Sequence, residues 1–167
     1  GGGTFDISII DVNGKDIDVI TSNGIHKLGG DDFDTELVKQ TKKIFKEEYD
    51  IDLDEDEYTN YEAELNKITL SERKIAVAGK NELAGEVHKL KRKDFEDSIN
   101  LMLSQIEMSC AATVQEAGIK VEDINEVILV GGSSRIPIIS KIVESIFKKP
   151  PVLIDKLDEA VAMGAAL

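Results

Sequence analysis

Two short runs rich in β-branched apolar residues, Thr4 to Ile10 and Ile17 to Thr21, open the chain and read as strands. Between the runs stands Asp11-Val12-Asn13-Gly14, whose Asn-Gly pair tolerates positive φ, so the segment predicts a β-hairpin. A third extended piece is expected beside Ser22-Asn23-Gly24. From Asp31 the pattern changes, with Phe33, Leu37, Val38, Ile44 and Phe45 recurring at helical spacing behind acidic residues that suit a helix N-terminus. A helix of about four turns is predicted there.

Six of the eight residues from Asp50 to Glu57 are acidic, which reads as a solvated connection; the glycine and terminal glutamate of an EF-hand loop are missing. Tyr58 to Ser71 is rich in helix formers, and Ile75–Val77 and Leu83–Val87 resemble short strands. Lys93 to Ala117 predicts one long helix with the stripe Phe95, Ile99, Met102, Leu103, Ile106, Cys110 and Val114, ended by Gly118 in a left-handed cap. Met102 and Met108 are assigned to core filling. Val127-Ile128-Leu129-Val130 reads as a strand covered on both faces. Behind it, Ser133 or Ser134 is expected to cap a helix with Pro137 in its first turn and Ile138, Ile139, Ile142, Val143 and Ile146 on its buried face. Asp158 to Leu167 predicts a last helix whose Ala160, Gly164 and Ala165 allow close packing. Hairpin strands followed by mixed helices and strands indicate an α/β lobe with a mixed sheet.

The 167 residues suit one compact lobe or two small subdomains. A net charge of −13 argues against nucleic-acid binding through phosphate neutralisation, and no apolar run approaches the roughly 20 residues that span a bilayer. Lys89 to Lys93, the densest basic run, reads as a solvated stretch leading into a helix. A lone Cys110 at an apolar helical position is a small core residue, in keeping with a reducing compartment. His26 and His88 lack metal-ligand spacing and are placed in solvated loops.

Three glycine corners carry the candidate chemistry: Gly1-Gly2-Gly3-Thr4-Phe5-Asp6, Leu28-Gly29-Gly30-Asp31 and Val130-Gly131-Gly132-Ser133-Ser134-Arg135. Glycine lets backbone amides approach an anion, while Thr4 and Asp6 supply a hydroxyl and a carboxylate for a phosphoryl oxygen or a hydrated metal. Convergence of the three on one ligand is the expectation. Asp31 and Asp32 are read as dipole and capping residues.

Taken in order, Gly1 to Asp6, Leu28-Gly29-Gly30-Asp31-Asp32-Phe33-Asp34, Val130 to Pro137 and Asp158-Glu159-Ala160-Val161 closely resemble the ATPase domain of the seventy-kilodalton heat-shock, DnaK-type chaperones. The resemblance covers the whole chain. It implies an actin-like, ribonuclease H-like fold and matches the second of the family's two lobes. Residues 1–30 and 100–167 would form the base subdomain, and 31–99 an inserted α/β subdomain. The first lobe, with its phosphate loop and hydrolytic lysine, is expected to be missing, so the chain alone is expected to be catalytically incompetent.

Carried over residue by residue, the resemblance implies that Gly2, Gly3 and Thr4 cradle the β- and γ-phosphates, with Gly30 also at the nucleotide. Thr4 would position the attacking water, and Asp6 would hold magnesium through its water shell. On one helix face, Glu64, Lys67 and Ser71 would meet ribose and adenine, with Ile68 lying against the base. Gly131, Gly132, Ser133, Arg135 and Ile136 would form the second adenosine loop, supported by Asp158. Lys156-Leu157 departs from the family's Asn-Pro before that Asp.

The implied cofactors are ATP or ADP, magnesium and potassium. Expected partners are the first ATPase lobe, a peptide-binding domain of the same parent chain, a nucleotide exchange factor, a J-domain co-chaperone and unfolded client peptides; neither nucleic acid nor membrane is expected. A cytoplasmic location is expected, with an organelle as the alternative. A nucleotide-binding but non-catalytic chaperone regulator stands as the alternative function, and an actin-superfamily kinase as a third.

Overall fold

The first β-branched run becomes β1 (Thr4–Asn13) and the second β2 (Asp16–His26), paired antiparallel. The computed structural model describes residues 2–78, 88–154 and Gly164. Gly14 takes the positive φ of the turn, 67°. Both strands outrun their predicted ends, and Ser22-Asn23-Gly24 continues β2 instead of leading to a third strand. The register slips between Ile9 and Ile10, which face Thr21 and Val19, so Ile20 is the extra residue of a bulge. Phe5, Ile7 and Ile9 are half-buried, whereas the cross-strand pairs Ile10–Val19 and Val12–Ile17 near the turn stand exposed.

The described residues fall into two units, Gly1–Gly29 with Met102–Leu167, and Gly30–Leu101. In the first, Asn23 donates to Glu116 Oε2 at 2.7 Å and to Thr113 Oγ1 at 3.2 Å, tying the hairpin to α4 (Asn100–Ala117). Leu103, Ile106, Cys110 and Val114 form the buried stripe of α4. Burial pushes the Cys110 thiol up to about 11, so it stays protonated as a core residue. Met108 is 73% exposed and fills no core; it points away from the stripe. Gly118 ends the helix at φ 66°.

Farther along, β5 (Ile128–Leu129) pairs in parallel with β6 (Val152–Leu153). Ile128 and Val130 are 51% and 42% exposed, so this strand is not covered on both faces: β6 is its one ladder partner among the described residues. After Gly131, at φ 90°, a tight 3-10 turn (Gly132–Arg135) leads to α5 (Pro137–Phe147). Neither serine caps α5. Its N-cap is Ile136, Pro137 starts the first turn, and Ser134 instead donates to the Val130 carbonyl at 2.8 Å. Ile139, Val143 and Phe147 are buried, and Ile138, Ile142 and Ile146 half-buried.

The second unit is built on α1 (Gly30–Tyr49) and α2 (Asn60–Glu72), with α1 longer than its apolar pattern predicted. Phe33, Leu37, Phe45, Tyr58, Ala63 and Leu70 form their core. A reciprocal cap starts α2: Thr59 N donates to Glu62 Oε2 at 2.7 Å and Glu62 N to Thr59 Oγ1 at 3.4 Å. Strands β3 (Ile75–Ala78) and β4 (His88–Lys91) pair antiparallel, and α3 (Arg92–Ser98) follows. The predicted strand at 83–87 and the helix from Asp158 lie outside the described residues, apart from Gly164.

Three readings change in this unit. The helix predicted from Lys93 breaks at Ile99 (φ −93°, ψ 7°), although Ile99 is fully buried and continues the apolar stripe. His88 is not in a solvated loop: it sits on β4, its ring 5.9 Å from Phe45, with Tyr49 Oη 3.4 Å from its Nδ1. The basic run is only partly solvated. Leu90 is 3% exposed, and Arg92 donates to the carbonyls of Leu70 and Ser71, satisfying the otherwise unpaired end of α2.

Among the described residues the separate strand ladders give a mixed α/β architecture of small two-stranded sheets, two antiparallel and one parallel. Among the described residues no helix is long and apolar enough to cross a membrane.

Because the Thr59–Glu62 box satisfies two backbone donors at once, Thr59→Ala is expected to lower stability by about 1 kcal/mol. Urea unfolding of both proteins measures this, and an unchanged midpoint would contradict it.

Candidate functional site

Strand geometry places Thr4 and Asp6 on the same face of β1, two residues apart. Thr4 Oγ1 donates to Asp6 Oδ2 at 2.8 Å, and both side chains are exposed. Directly before them, Gly2 and Gly3 are exposed too, and a Cβ added to Gly3 would meet nothing within 4 Å. Amides, one hydroxyl and one carboxylate are therefore presented together. This donor set fits the oxygens of a phosphate and the water shell of a hard divalent cation.

Two further glycines hold that arrangement, and sequence reasoning gave neither this role. A Cβ on Gly29 would lie 2.6 Å from the Gly2 carbonyl carbon and 2.9 Å from Gly3 N, so the second glycine corner packs bare backbone against the first. Lys27 N also donates to the Gly3 carbonyl at 3.1 Å. On β2, a Cβ on Gly24 would come within 2.8 Å of Asp6 Oδ1, so the absent side chain leaves room for that carboxylate. The signal for Gly24 was its place opposite Asp6, which appears only once the hairpin register is known.

In the same unit the third corner is the turn after β5. Gly131 is half-buried, Gly132 exposed, Ser133 half-buried and Arg135 exposed. The Ile136 side chain is 2% exposed and belongs to the core. Asp158 lies outside the described residues.

Within the second unit, Glu64, Lys67, Ile68 and Ser71 follow one another on α2, with different surroundings. Glu64 is exposed and Ile68 is 50% exposed. The Ser71 hydroxyl turns back to donate to the Lys67 carbonyl at 2.9 Å. Lys67 is 8% exposed; its Nζ donates to Asp34 Oδ2 at 2.8 Å and to the Gly30 carbonyl at 3.0 Å. Gly30 is therefore tied to Lys67 through its carbonyl. Asp34, 4% exposed, is a partner that the sequence reading missed: at the start of a helix an acid is ordinarily explained by the dipole. Burial raises its carboxyl above the ordinary 3.8, while Lys67 pulls the other way.

Removing one partner of a buried pair strands the other charge, so Lys67→Met is expected to cost about 3 kcal/mol at neutral pH. An acid whose folded pKa is raised binds its proton more tightly in the folded state. Its penalty is therefore full above that pKa and is relieved as pH falls through it. The loss in Lys67→Met at neutral pH should accordingly shrink at an acid pH, as Asp34 takes up its proton. Chemical denaturation of wild type and variant at both pH values measures this; a loss that is equal or larger in acid would contradict it.

A family model described as Hsp70 protein matches residues 1–167. The chain is 35% identical, over 178 aligned positions, to the chaperone protein DnaK of Mesomycoplasma hyopneumoniae strain 7448, and 38% identical to that of Thermosipho melanesiensis. It is 36% identical to a mitochondrial heat shock 70 kDa protein of Solanum tuberosum. Each match covers 100% of this chain but only 30% of either DnaK protein and 26% of the potato protein. On this match the chain, with its glycine loop followed by Thr4 and Asp6, belongs to the Hsp70 family of heat-shock chaperones.

Proposed function

We propose that this chain is an ATP- or ADP-binding lobe of a DnaK-type chaperone ATPase. The observation that carries the reading is the Thr4–Asp6 hydrogen bond on the exposed face of β1, immediately after a glycine loop held by Gly29. In this reading Gly2, Gly3 and Thr4 take the β- and γ-phosphates, with Thr4 also orienting the attacking water, and Asp6 meets magnesium through water. Magnesium, when bound, supplies charge neutralisation to the phosphates. The Gly131–Ile136 turn with Arg135, and the α2 residues Glu64, Lys67, Ile68 and Ser71, serve the adenosine, with Gly30 beside them and Asp158 in support. Ile68 gives the base an apolar contact.

Residues 1–30 and 100–167 are the base subdomain of an actin-like lobe in this proposal, and 31–99 its insertion. In the parent protein, nucleotide turnover would control a peptide-binding domain, with a J-domain co-chaperone and an exchange factor setting the rates. The chain itself is proposed to bind nucleotide without turning it over. From Gly2 to Asp6 there is no cationic side chain, and phosphoryl transfer relies on positive charge at the transferring group.

Titration of the chain with fluorescent ADP, with and without magnesium, tests this. Weak magnesium-dependent binding is expected, reduced about ten-fold in Asp6→Asn, with no steady-state ATP hydrolysis. Binding indifferent to Asp6, or substantial turnover by the chain alone, would contradict it.

A further inference from the structure

The Asp34–Lys67 pair is built unlike a pair that only holds two helices together. Replacing a buried ion pair by apolar side chains is often neutral or stabilising. Here, moreover, half of the carboxylate is unused: Asp34 Oδ1 is buried and has no hydrogen-bond partner among the described residues. An unsatisfied buried oxygen costs stability and asks for a reason beyond packing. Lys67 supplies one. Its side chain is only 10% exposed, and two of its three N–H groups are taken by Asp34 Oδ2 and the Gly30 carbonyl. One N–H is left.

We infer that Asp34 is the positioning residue for Lys67, anchoring the ammonium so that its remaining N–H is presented in a fixed direction to a bound nucleoside diphosphate. The inference rests on the reading of α2 as a nucleotide-binding face. A free lysine has to give up side-chain entropy to make one hydrogen bond. An anchored lysine has already done so, and binding then costs less. Gly30 alone offers a neutral acceptor, whereas the carboxylate makes the contact charge-assisted. The charges nearby show why the anchor must be an anion. Glu64 and Asp31 both act on Asp34 electrostatically, and Glu64 is exposed. With residue 34 neutral, Glu64 competes for the ammonium and draws it out of the seam, spending a group of the proposed site on an internal pair.

The test uses the whole chain titrated with magnesium-ADP and followed by amide and lysine side-chain NMR. Asp34→Asn is expected to weaken ADP binding about five-fold. Adding Lys67→Gln to it should weaken binding no further, because the contribution of Lys67 is already gone. A purely structural role predicts otherwise, since Lys67→Gln would then subtract its own contact on top. Wild-type affinity in Asp34→Asn, or a further several-fold loss in the double variant, overturns the inference while leaving nucleotide binding intact. Failure of the wild-type chain to bind ADP at all overturns the proposed function, and this inference with it. A check independent of any variant is the Lys67 ammonium signal of the ligand-free wild type. Slow hydrogen exchange supports the anchor, and exchange as fast as that of the exposed lysines overturns it.

Discussion

Backbone against backbone, Gly29 on Gly2 and Gly3, is the constraint from which the candidate site follows. A single methyl group at residue 29 would sit 2.6 Å from the Gly2 carbonyl carbon, so this approach exists only because residue 29 lacks a side chain. The contact sets the glycine loop directly ahead of β1. Strand alternation then places Thr4 and Asp6 on one face, and the bare Gly24 on β2 leaves Asp6 room. The chemistry is modest and local: fixed dipoles, one hydroxyl and one carboxylate, arranged in advance.

The second unit uses the opposite device. Where the loop is held by absence of side chains, Lys67 is held by one buried charge meeting another, inside a seam otherwise made of Phe33, Leu37, Ala63 and Leu70. Arg92 performs a related task at the far end of α2, closing the carbonyls of Leu70 and Ser71. Between the capping box at Thr59 and the Arg92 contact, α2 is fixed at both ends. Its exposed residues, Glu64 and Ile68 among them, are therefore carried on a rigid support.

Much of this was legible in the residues, for identifiable reasons. The hairpin was readable because the β-branched runs and Asn-Gly agree, and α1 because its apolar residues keep a helical period. Gly118 was readable as a cap because glycine takes the left-handed conformation, here φ 66°, at no steric cost. What escaped was decided by tertiary context. The break at Ile99 is hidden because Ile99 is itself buried and keeps the stripe unbroken. Met108 matches the hydrophobicity of a core residue but not its angular position. His88 and Leu90 became partly or wholly buried through pairing with β3, which a run of basic neighbours disguised. The run from Val127 to Val130 was apolar enough for a strand covered on both faces, yet the fold leaves Ile128 half in solvent. At the site, Thr4, Asp6 and the glycines were visible as a motif. Asp34 was not, because its role depends on a lysine 33 positions away.

The claim that the glycine corners and the α2 face serve one nucleotide is tested most directly by mapping amide chemical shifts of the chain on addition of magnesium-ADP. Concerted, saturable shifts at Gly2 to Asp6, at Gly131 to Arg135 and along Glu64 to Ser71, with one common midpoint, are the expected result. Shifts confined to one of these segments, or none at any of them, would contradict the account.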